Sequence, residues 1–240
     1  MAWIGTSGWS YDHWTPELYP PGLPAGQRLA RYAEEFSTVE LNASFYRWPR
    51  PQTFQDWRER LPGGFRMSVK APRGLTHARK LREPEAWIER IAAGWRELGD
   101  KRAVLLVQLG PAQARDDAAL GHFLGAVPDW IPVALEFRHP SWHVADVFAI
   151  LERRGAAYCV MSGAGLACIP RLTAAFGYIR LHGPADHLYG GSYSDADLAW
   201  WADRIRDWGA QGADTFAYFN NDLDANAVRN ARTLSALVGG

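Results

Sequence analysis

The sequence predicts an α/β protein built as a single (β/α)8 TIM-type barrel. Its 240 residues are close to the typical size of one such barrel. Short apolar runs alternate eight times with amphipathic helical segments, and no Pro-, Gly- or Ser-rich linker separates them. Such alternation favours parallel βα units. We therefore expect one domain over residues 1–240.

Short runs of apolar, β-branched or aromatic residues are the predicted strands. Some are almost continuously apolar, such as Ala-Val-Leu-Leu-Val at 103–107, as expected for parallel strands covered on both faces. The strands are predicted at Trp3–Gly5, Thr38–Leu41, Arg66–Lys70, Ala103–Leu109, Val133–Phe137, Ala157–Met161, Tyr178–Leu181 and Thr215–Phe219. An open doubly wound sheet usually begins with G-x-G-x-x-G, and the turn after the first strand does not match it. A closed barrel is therefore favoured.

Apolar residues at helical spacing predict a helix after every strand except the sixth. Ser194 with Asp197 three residues later predicts a capped helix start. Pro62-Gly63-Gly64 and Gly155 predict helix ends. The sixth connection carries only a short, weak helical pattern around Leu172–Phe176.

Composition limits the classes of partner. Lys and Arg number 26 and Asp and Glu number 26, so the formal net charge is zero, which argues against general nucleic-acid binding. The first residues lack the pattern of a signal peptide, and no apolar run approaches membrane-spanning length. Cys159 and Cys168 are too few for a disulfide framework. We expect a soluble, cytoplasmic protein without membrane or nucleic-acid partners.

One stretch departs from this charge balance. Between Arg58 and Arg82 eight basic residues face a single acid, Glu59. Part of this stretch follows the third predicted strand and so belongs to the rim where barrels bind ligands. Two interpretations stay open: a solvated basic face, or a site for an anionic substrate group such as phosphate or carboxylate.

Polar residues concentrate at the carboxyl ends of the predicted strands, where barrel enzymes place their catalytic residues. Four pairs are two residues apart and so point the same way along a strand: Glu40/Asn42, Glu136/Arg138, Arg180/His182 and Tyr218/Asn220. Charges inside apolar strands are costly unless they are paired or functional. We expect a polar pocket there, with a structural ion-pair network as the alternative.

Acid/base chemistry is the role predicted for this pocket. Glu40 and Glu136 are the predicted acid and base, assisted by Lys70 and His182. The predicted substrate-binding residues are Ser7, Trp9, Asn42, Tyr46, Arg138, His139, Trp142, Arg180, Tyr218, Asn220, Asn221 and Asp222. Rim tryptophans suit stacking on a sugar or a base, with loop packing as the alternative. Lys70 as a salt-bridge partner and Asp222 as a helix cap also stay open.

No cofactor is predicted. A divalent metal ion held by Glu40, Glu136, His182 and Asp222 is a minor alternative, since carboxylates and imidazoles suit such ions. Neither an H-E-x-x-H motif nor a Cys/His cluster supports it.

Several ordered motifs resemble one known family. They are Gly5-Thr6-Ser7-Gly8-Trp9-Ser10-Tyr11, Thr38 to Tyr46, Val69-Lys70, Glu136 to Trp142, Arg180-Leu181-His182-Gly183 and Tyr218 to Asp222. Together they resemble the YecE-like family, domain of unknown function 72, from residue 3 to about 235. The resemblance implies an α/β barrel and no particular activity. The family often has an Asp after the sixth strand, where this chain has Ser162.

Three functional hypotheses follow. The first is an enzyme doing acid/base chemistry on a small polar or anionic substrate, sugar-like molecules included; a hydrolase is the first choice, ahead of a lyase or an isomerase. The second is a non-catalytic module that binds a metabolite. The third is a nucleic-acid processing enzyme that uses the basic stretch and the rim tryptophans. The sequence leaves the substrate, the use of a metal and the oligomeric state open.

Overall fold

A computed structural model describes residues 1–184 and 189–239 of the chain. Eight parallel strands pair in chain order, and the last pairs with the first, so that they close a barrel. The strands are β1 (Ala2–Ser7), β2 (Thr38–Leu41), β3 (Arg66–Lys70), β4 (Arg102–Gln108), β5 (Val133–Glu136), β6 (Ala157–Ser162), β7 (Phe176–Leu181) and β8 (Asp214–Phe219). The predicted (β/α)8 fold is confirmed, and β2 and β3 coincide with the predicted strands residue for residue.

Helices cover the outside of the barrel. The α-helices of the described chain are α1 (Arg28–Ala33), α2 (Pro51–Arg60), α3 (Glu85–Glu97), α4 (Asp117–Ala126), α5 (Ala145–Arg154), α6 (Asp195–Ala210) and α7 (Asn226–Gly239). None of these helices combines the length and the apolarity that crossing a lipid bilayer demands.

The sixth crossover, residues 163–175, contains no helix, so the weak helical pattern around Leu172–Phe176 does not form one. Thr173 ties this segment to the barrel instead. Its buried hydroxyl accepts the backbone N–H of Tyr158 at 2.7 Å and donates to the carbonyl of Ala156 at 2.7 Å. One side chain thus satisfies the backbone at the start of β6.

Local signals in the sequence set the helix boundaries. Ser194 and Asp197 form the predicted capping box at the start of α6. Gly155 follows α5 with φ 61°, a left-handed conformation that glycine adopts without strain. Both predicted boundaries are confirmed.

The barrel interior has an aromatic and polar floor beneath its upper rim. Trp3 stacks on Phe216 with ring centroids 6.2 Å apart. Above them the Tyr218 hydroxyl bonds to Thr38 Oγ1 at 2.8 Å and to Ser68 Oγ at 2.9 Å. These buried contacts close the lower barrel, so polar chemistry is confined to the carboxyl ends of the strands.

Candidate active site at the barrel rim

Arg180 on β7 lies between two carboxylates at the top of the barrel. Its guanidinium donates to Glu40 from Nε (3.0 Å to Oε2) and from Nη2 (2.8 Å to Oε1). Its Nη1 donates to Oε2 of Glu136 at 2.6 Å. All three side chains are at most 1% exposed. We call Glu40, Glu136 and Arg180 the ion-pair frame.

Further donors complete the hydrogen bonding of both carboxylates. Ser7 donates its hydroxyl to Glu40 Oε1, and Tyr178 donates to Oε2 at 2.7 Å. Arg138 Nε donates to Glu136 Oε1 at 2.5 Å. Each carboxylate oxygen therefore has at least one strong donor, which makes the frame a satisfied buried network.

The frame holds its charges in the ionised form. Burial is the largest single influence and raises the pKa values of Glu40 and Glu136, but the charge of Arg180 together with the hydrogen bonds and charges of the other neighbours outweighs it. The pKa of Glu40 lies below its ordinary value, and that of Glu136 lies well below, with Arg138 contributing. Burial opposes the charge of Arg180 as well, yet the two glutamates raise its pKa well above the usual value. Both carboxylates are deprotonated at neutral pH.

His182, two residues beyond Arg180, stays neutral. Burial and the adjacent Arg180 lower its pKa to about 4. Its Nε2 lies 3.0 Å from Nη2 of Arg138 and so accepts a hydrogen bond, which leaves the proton on Nδ1. Nδ1 lies 3.0 Å from Nδ2 of Asn220, and since an N–H on Nδ1 needs an acceptor, this tautomer requires the Asn220 amide to be turned so that its oxygen faces the ring. The ring is therefore uncharged near neutral pH, and the assisting role of His182 in proton transfer stays a prediction.

Lys70 ends β3 and differs from the other charged groups. Its Nζ lies 4.5 Å above the ring of Phe45, a cation–π contact. Among the described residues no carboxylate pairs with it, which argues against the salt-bridge role. Burial and Arg180 lower its pKa to about 8, although Glu136 and Glu40 act in the opposite direction.

A cavity of about 290 Å³ opens above the frame, and we call it the lysine pocket. It is lined by Tyr11, Asn42, Phe45, Tyr46, Lys70, Gln108, Arg180, Tyr189 and Asn220. Three cations lie in or next to the frame and the pocket, namely Lys70, Arg138 and Arg180. They exceed the two carboxylates of the frame by one positive charge. The surplus positive charge suits an anionic ligand.

The loop after β3 adds positive charge beside this pocket. It contains one π-helical turn, Gly74–Ala78, in which the His77 ring packs edge-on to Phe45 at 5.0 Å. Burial, Lys70 and Arg73 lower the pKa of His77, so both cations lie close to it. Elsewhere the basic stretch forms ion pairs, as Arg82 does with Asp116 at 2.9 Å.

An apolar cavity of about 420 Å³, which we call the aromatic groove, adjoins the lysine pocket. It is lined by Gly8, Trp9, Ser10, Tyr11, Leu41, Asn42, Ala43, Tyr46, Pro49 and Trp57. Tyr11, Asn42 and Tyr46 line both cavities. The Oδ1 atom of Asn42 is buried and has no hydrogen-bond partner among residues 1–184 and 189–239.

Several predicted substrate-binding residues lie away from the two cavities. Trp142 is 1% exposed, stacks on Phe137 at 4.7 Å and donates to the carbonyl of Gln113, so it packs the loop. Tyr218 is buried in the barrel floor. The ligand contacts of both residues stay predictions.

Three more residues at the rim make internal contacts. Asn221 is fully buried and donates its amide to the Gly191 carbonyl and to Asn230, both at 2.9 Å, and its ligand contact stays a prediction. The His139 ring bonds to Ser141 at its own turn. Asp222 lies 3.4 Å from the His13 ring. Neither Asp222 nor His13 lines the lysine pocket or the aromatic groove.

Sequence reasoning missed five residues of the site as ligand or frame contacts: Tyr11, Phe45, Gln108, Tyr178 and Tyr189. The signal for Tyr178 was available, because it lies two residues before Arg180 on one strand face. Ser162 ends β6, and its backbone carbonyl accepts the N–H of His182 at 2.7 Å.

A metal centre is not apparent in the described chain. No group of three or more His, Cys, Asp or Glu side chains there is arranged to hold an ion. The oxygens of Glu40 and Glu136 are directed at arginines, and Asp222 lies against His13.

The fold and the rim together define a (β/α)8-barrel protein with a buried ion-pair frame under an anion-suited pocket. A family model described as "Protein of unknown function DUF72" matches residues 3–240. The chain belongs to this family, which confirms the resemblance of the sequence motifs.

The chain is similar to two bacterial proteins and to a crystal structure. UPF0759 protein YunF of Bacillus subtilis is 26% identical over 99% of this chain and 95% of its own length. UPF0759 protein YecE of Escherichia coli K12 is 30% identical over 59% of this chain and 50% of its own length. The crystal structure of a DUF72 family protein from Thermotoga maritima superposes with a TM-score of 0.89 at 24% identity, covering both chains completely.

D-psicose 3-epimerase, solved in the presence of D-fructose, is more distant. It has a TM-score of 0.54 at 12% identity and covers 91% of this chain and 95% of its own. That likeness concerns the fold alone.

Proposed function

We propose that this protein is an enzyme that moves a proton on a small anionic substrate, with Lys70 as the acid/base group. The observation that carries the proposal is Lys70 itself. Its ammonium lies on Phe45 at the wall of a pocket and has no carboxylate partner in the described chain. Its pKa is lowered to about 8. A catalytic acid/base works best with a pKa near the working pH.

The two glutamates of the ion-pair frame are poorly suited to acid/base catalysis, which supports the assignment of that role to Lys70. A general acid must hold a proton, and both glutamates are ionised by their arginines. A carboxylate with a strongly lowered pKa is also a weak base. We therefore assign Glu40 and Glu136 the role of holding Arg180 in place under the pocket.

The reaction class follows from the charges. Hydrolysis needs a base to activate water and an acid for the leaving group, and the predicted carboxylate pair is committed to Arg180. Removing a proton next to a carboxylate or carbonyl needs one base and nearby positive charge for the anion that develops. Lys70 and Arg180 line one pocket and fit that pattern, so an isomerase or a lyase is favoured over a hydrolase.

The first experiment needs no substrate. The chain has three lysines, Lys70, Lys80 and Lys101, so reductive methylation with ¹³C gives a simple NMR titration. We expect one lysine signal to titrate near pH 8 and to vanish in Lys70→Arg. A Lys70 signal that titrates at the ordinary value of about 10.4 would refute the assignment.

The second experiment tests catalysis. Small carboxylates and phosphate esters are screened for thermal stabilisation, and hits are followed by NMR for turnover or solvent deuterium uptake. We expect Lys70→Met to lower the rate by at least about 100-fold. Lys80 is an exposed lysine on the same loop. Lys80→Met is therefore the matched control and should keep full activity. Stabilisation without turnover in the unmodified protein would favour the non-catalytic binding module.

A further inference from the structure

We infer that the aromatic groove is a second subsite, which takes a planar aromatic ring bearing a hydrogen-bond donor, while the acid group of the same ligand occupies the lysine pocket. The inference rests on the proposed function, because it places the acid group of the ligand in the pocket that Lys70 and Arg180 line. It adds to the proposed function the class of substrate, an acid that carries an aromatic ring.

Continuity between the two cavities is the first argument. Tyr11, Asn42 and Tyr46 line both, so a single molecule can reach from one into the other. The two cavities measure about 420 and 290 Å³, and together they are large enough for a small metabolite.

The residues that line the groove favour an aromatic ring over a polyol as its occupant. Trp9, Leu41, Pro49 and Trp57 are apolar, and Trp9 meets Trp57 edge-to-face at 5.7 Å. Tyr46 borders the groove and is 76% exposed, a large aromatic left in water. Sugar hydroxyls would meet few hydrogen-bonding side chains here, whereas an aromatic ring gains stacking and apolar burial.

Asn42 supplies the specific polar contact. Asn42 lines both cavities, and its Oδ1 is buried without a partner in the described part of the chain. A buried acceptor left unsatisfied destabilises the protein, and a ligand O–H or N–H directed at it removes that cost. The ring must therefore carry a donor.

The test uses four matched probes measured by calorimetry. para-Hydroxyphenylacetate has the ring, the donor and the anion; phenylacetate lacks the donor, gluconate replaces the ring with a polyol, and tyramine replaces the anion with a cation. We expect para-hydroxyphenylacetate to bind at least about tenfold more tightly than each of the others. para-Hydroxybenzoate and para-hydroxyphenylpropionate vary the ring-to-acid distance, and the best of the three phenols is taken forward.

Two variants assign the contacts. Asn42→Leu should weaken the phenolic acid about five- to tenfold and leave phenylacetate unchanged. Tyr46→Ala removes an exposed ring without opening the core, and should weaken both aromatic acids but not gluconate. Trp200→Ala, which removes a ring that is 44% exposed on α6, is the control and should weaken none.

The outcomes separate this inference from the proposed function. Gluconate that binds as tightly as the aromatic acids, with affinity lost in Lys70→Met, would overturn the aromatic subsite and keep the anion site. Aromatic acids that bind equally well to Lys70→Met and the unmodified protein would overturn the shared ligand. Equal binding of phenylacetate and para-hydroxyphenylacetate would refute the role of Asn42.

Discussion

The ion-pair frame and the lysine pocket are neighbours with opposite electrostatics. In the frame, Arg180 faces two carboxylates whose oxygens all receive hydrogen bonds. In the pocket, Lys70 has an aromatic ring beneath it and no carboxylate partner within the described chain. A group whose charge and hydrogen bonds are fully matched within the protein stays ionised and has few interactions left to offer a ligand. A charge that is unmatched is available to a ligand, and for this reason the proposed acid/base role is assigned to Lys70 in the pocket.

Removing the centre of the frame should have the largest effect. Arg180→Met leaves two buried carboxylates without their cation, and we expect the free energy of unfolding to fall by about 3–5 kcal/mol in urea denaturation. The triple variant Glu40→Gln, Glu136→Gln, Arg180→Met removes all three charges and should recover part of this loss. If Arg180→Met alone were as stable as the unmodified protein, the frame would not be an essential network.

The frame should also limit stability in acid. The folded-state pKa values of Glu40 and Glu136 lie below the ordinary value of about 4.3, so the unfolded chain binds protons first as pH falls. Their contribution is therefore complete above about pH 5 and is lost through the lower folded values. We expect a steep fall in the free energy of unfolding below pH 4, measured by denaturation at each pH. Glu136→Gln should show a shallower fall, and an unchanged slope would contradict the assignment.

The pocket should respond in the opposite direction. The pKa of Lys70 is lowered to about 8, so folding penalises its charge at every pH below that value. Lys70→Met should therefore raise the free energy of unfolding at pH 7 by about 1–3 kcal/mol. The gain should shrink from pH 8 upward and disappear above about pH 10.5, where the unfolded chain is neutral too.

Lys80→Met is the control for that measurement and should change stability little. A lysine held for structural reasons would behave differently, since its removal destabilises the fold. Loss of more than 1 kcal/mol in Lys70→Met would thus contradict a functional pocket.

His182 lies between the two regions and gives the smallest, most local effect. It should remain neutral down to about pH 4, with its proton on Nδ1. Nitrogen NMR of the imidazoles checks both the tautomer and the titration, and His182→Gln identifies the signal. An imidazole that becomes charged near pH 6.5 would show that Arg138 and Arg180 do not control it.

Strand positions could be predicted because the physics that sets them is local. Apolar runs of the right length placed β2 and β3 correctly, and the two-residue period placed Glu40, Glu136 and Arg180 at one rim. The family and the closed barrel also followed from the sequence.

The fate of each rim side chain could not be predicted in the same way. Trp142 and Trp9 both follow strands, yet Phe137 buries the first while the second borders a groove. Whether a glutamate is free or saturated depends on an arginine 140 residues away in the chain, as for Glu40 and Arg180. Such contacts are set by packing between distant elements, which residue spacing does not encode.

The helix-free crossover between β6 and β7 has a consequence for local unfolding. The crossover itself has no helix, and the Thr173 hydroxyl holds the start of β6 through hydrogen bonds to the backbone of Ala156 and Tyr158. Segments with little packed apolar surface open at lower free energy than the rest of a fold. In hydrogen–deuterium exchange, we expect the Tyr158 amide, which donates to a side chain rather than to a neighbouring strand, to exchange sooner than the central amides of β4.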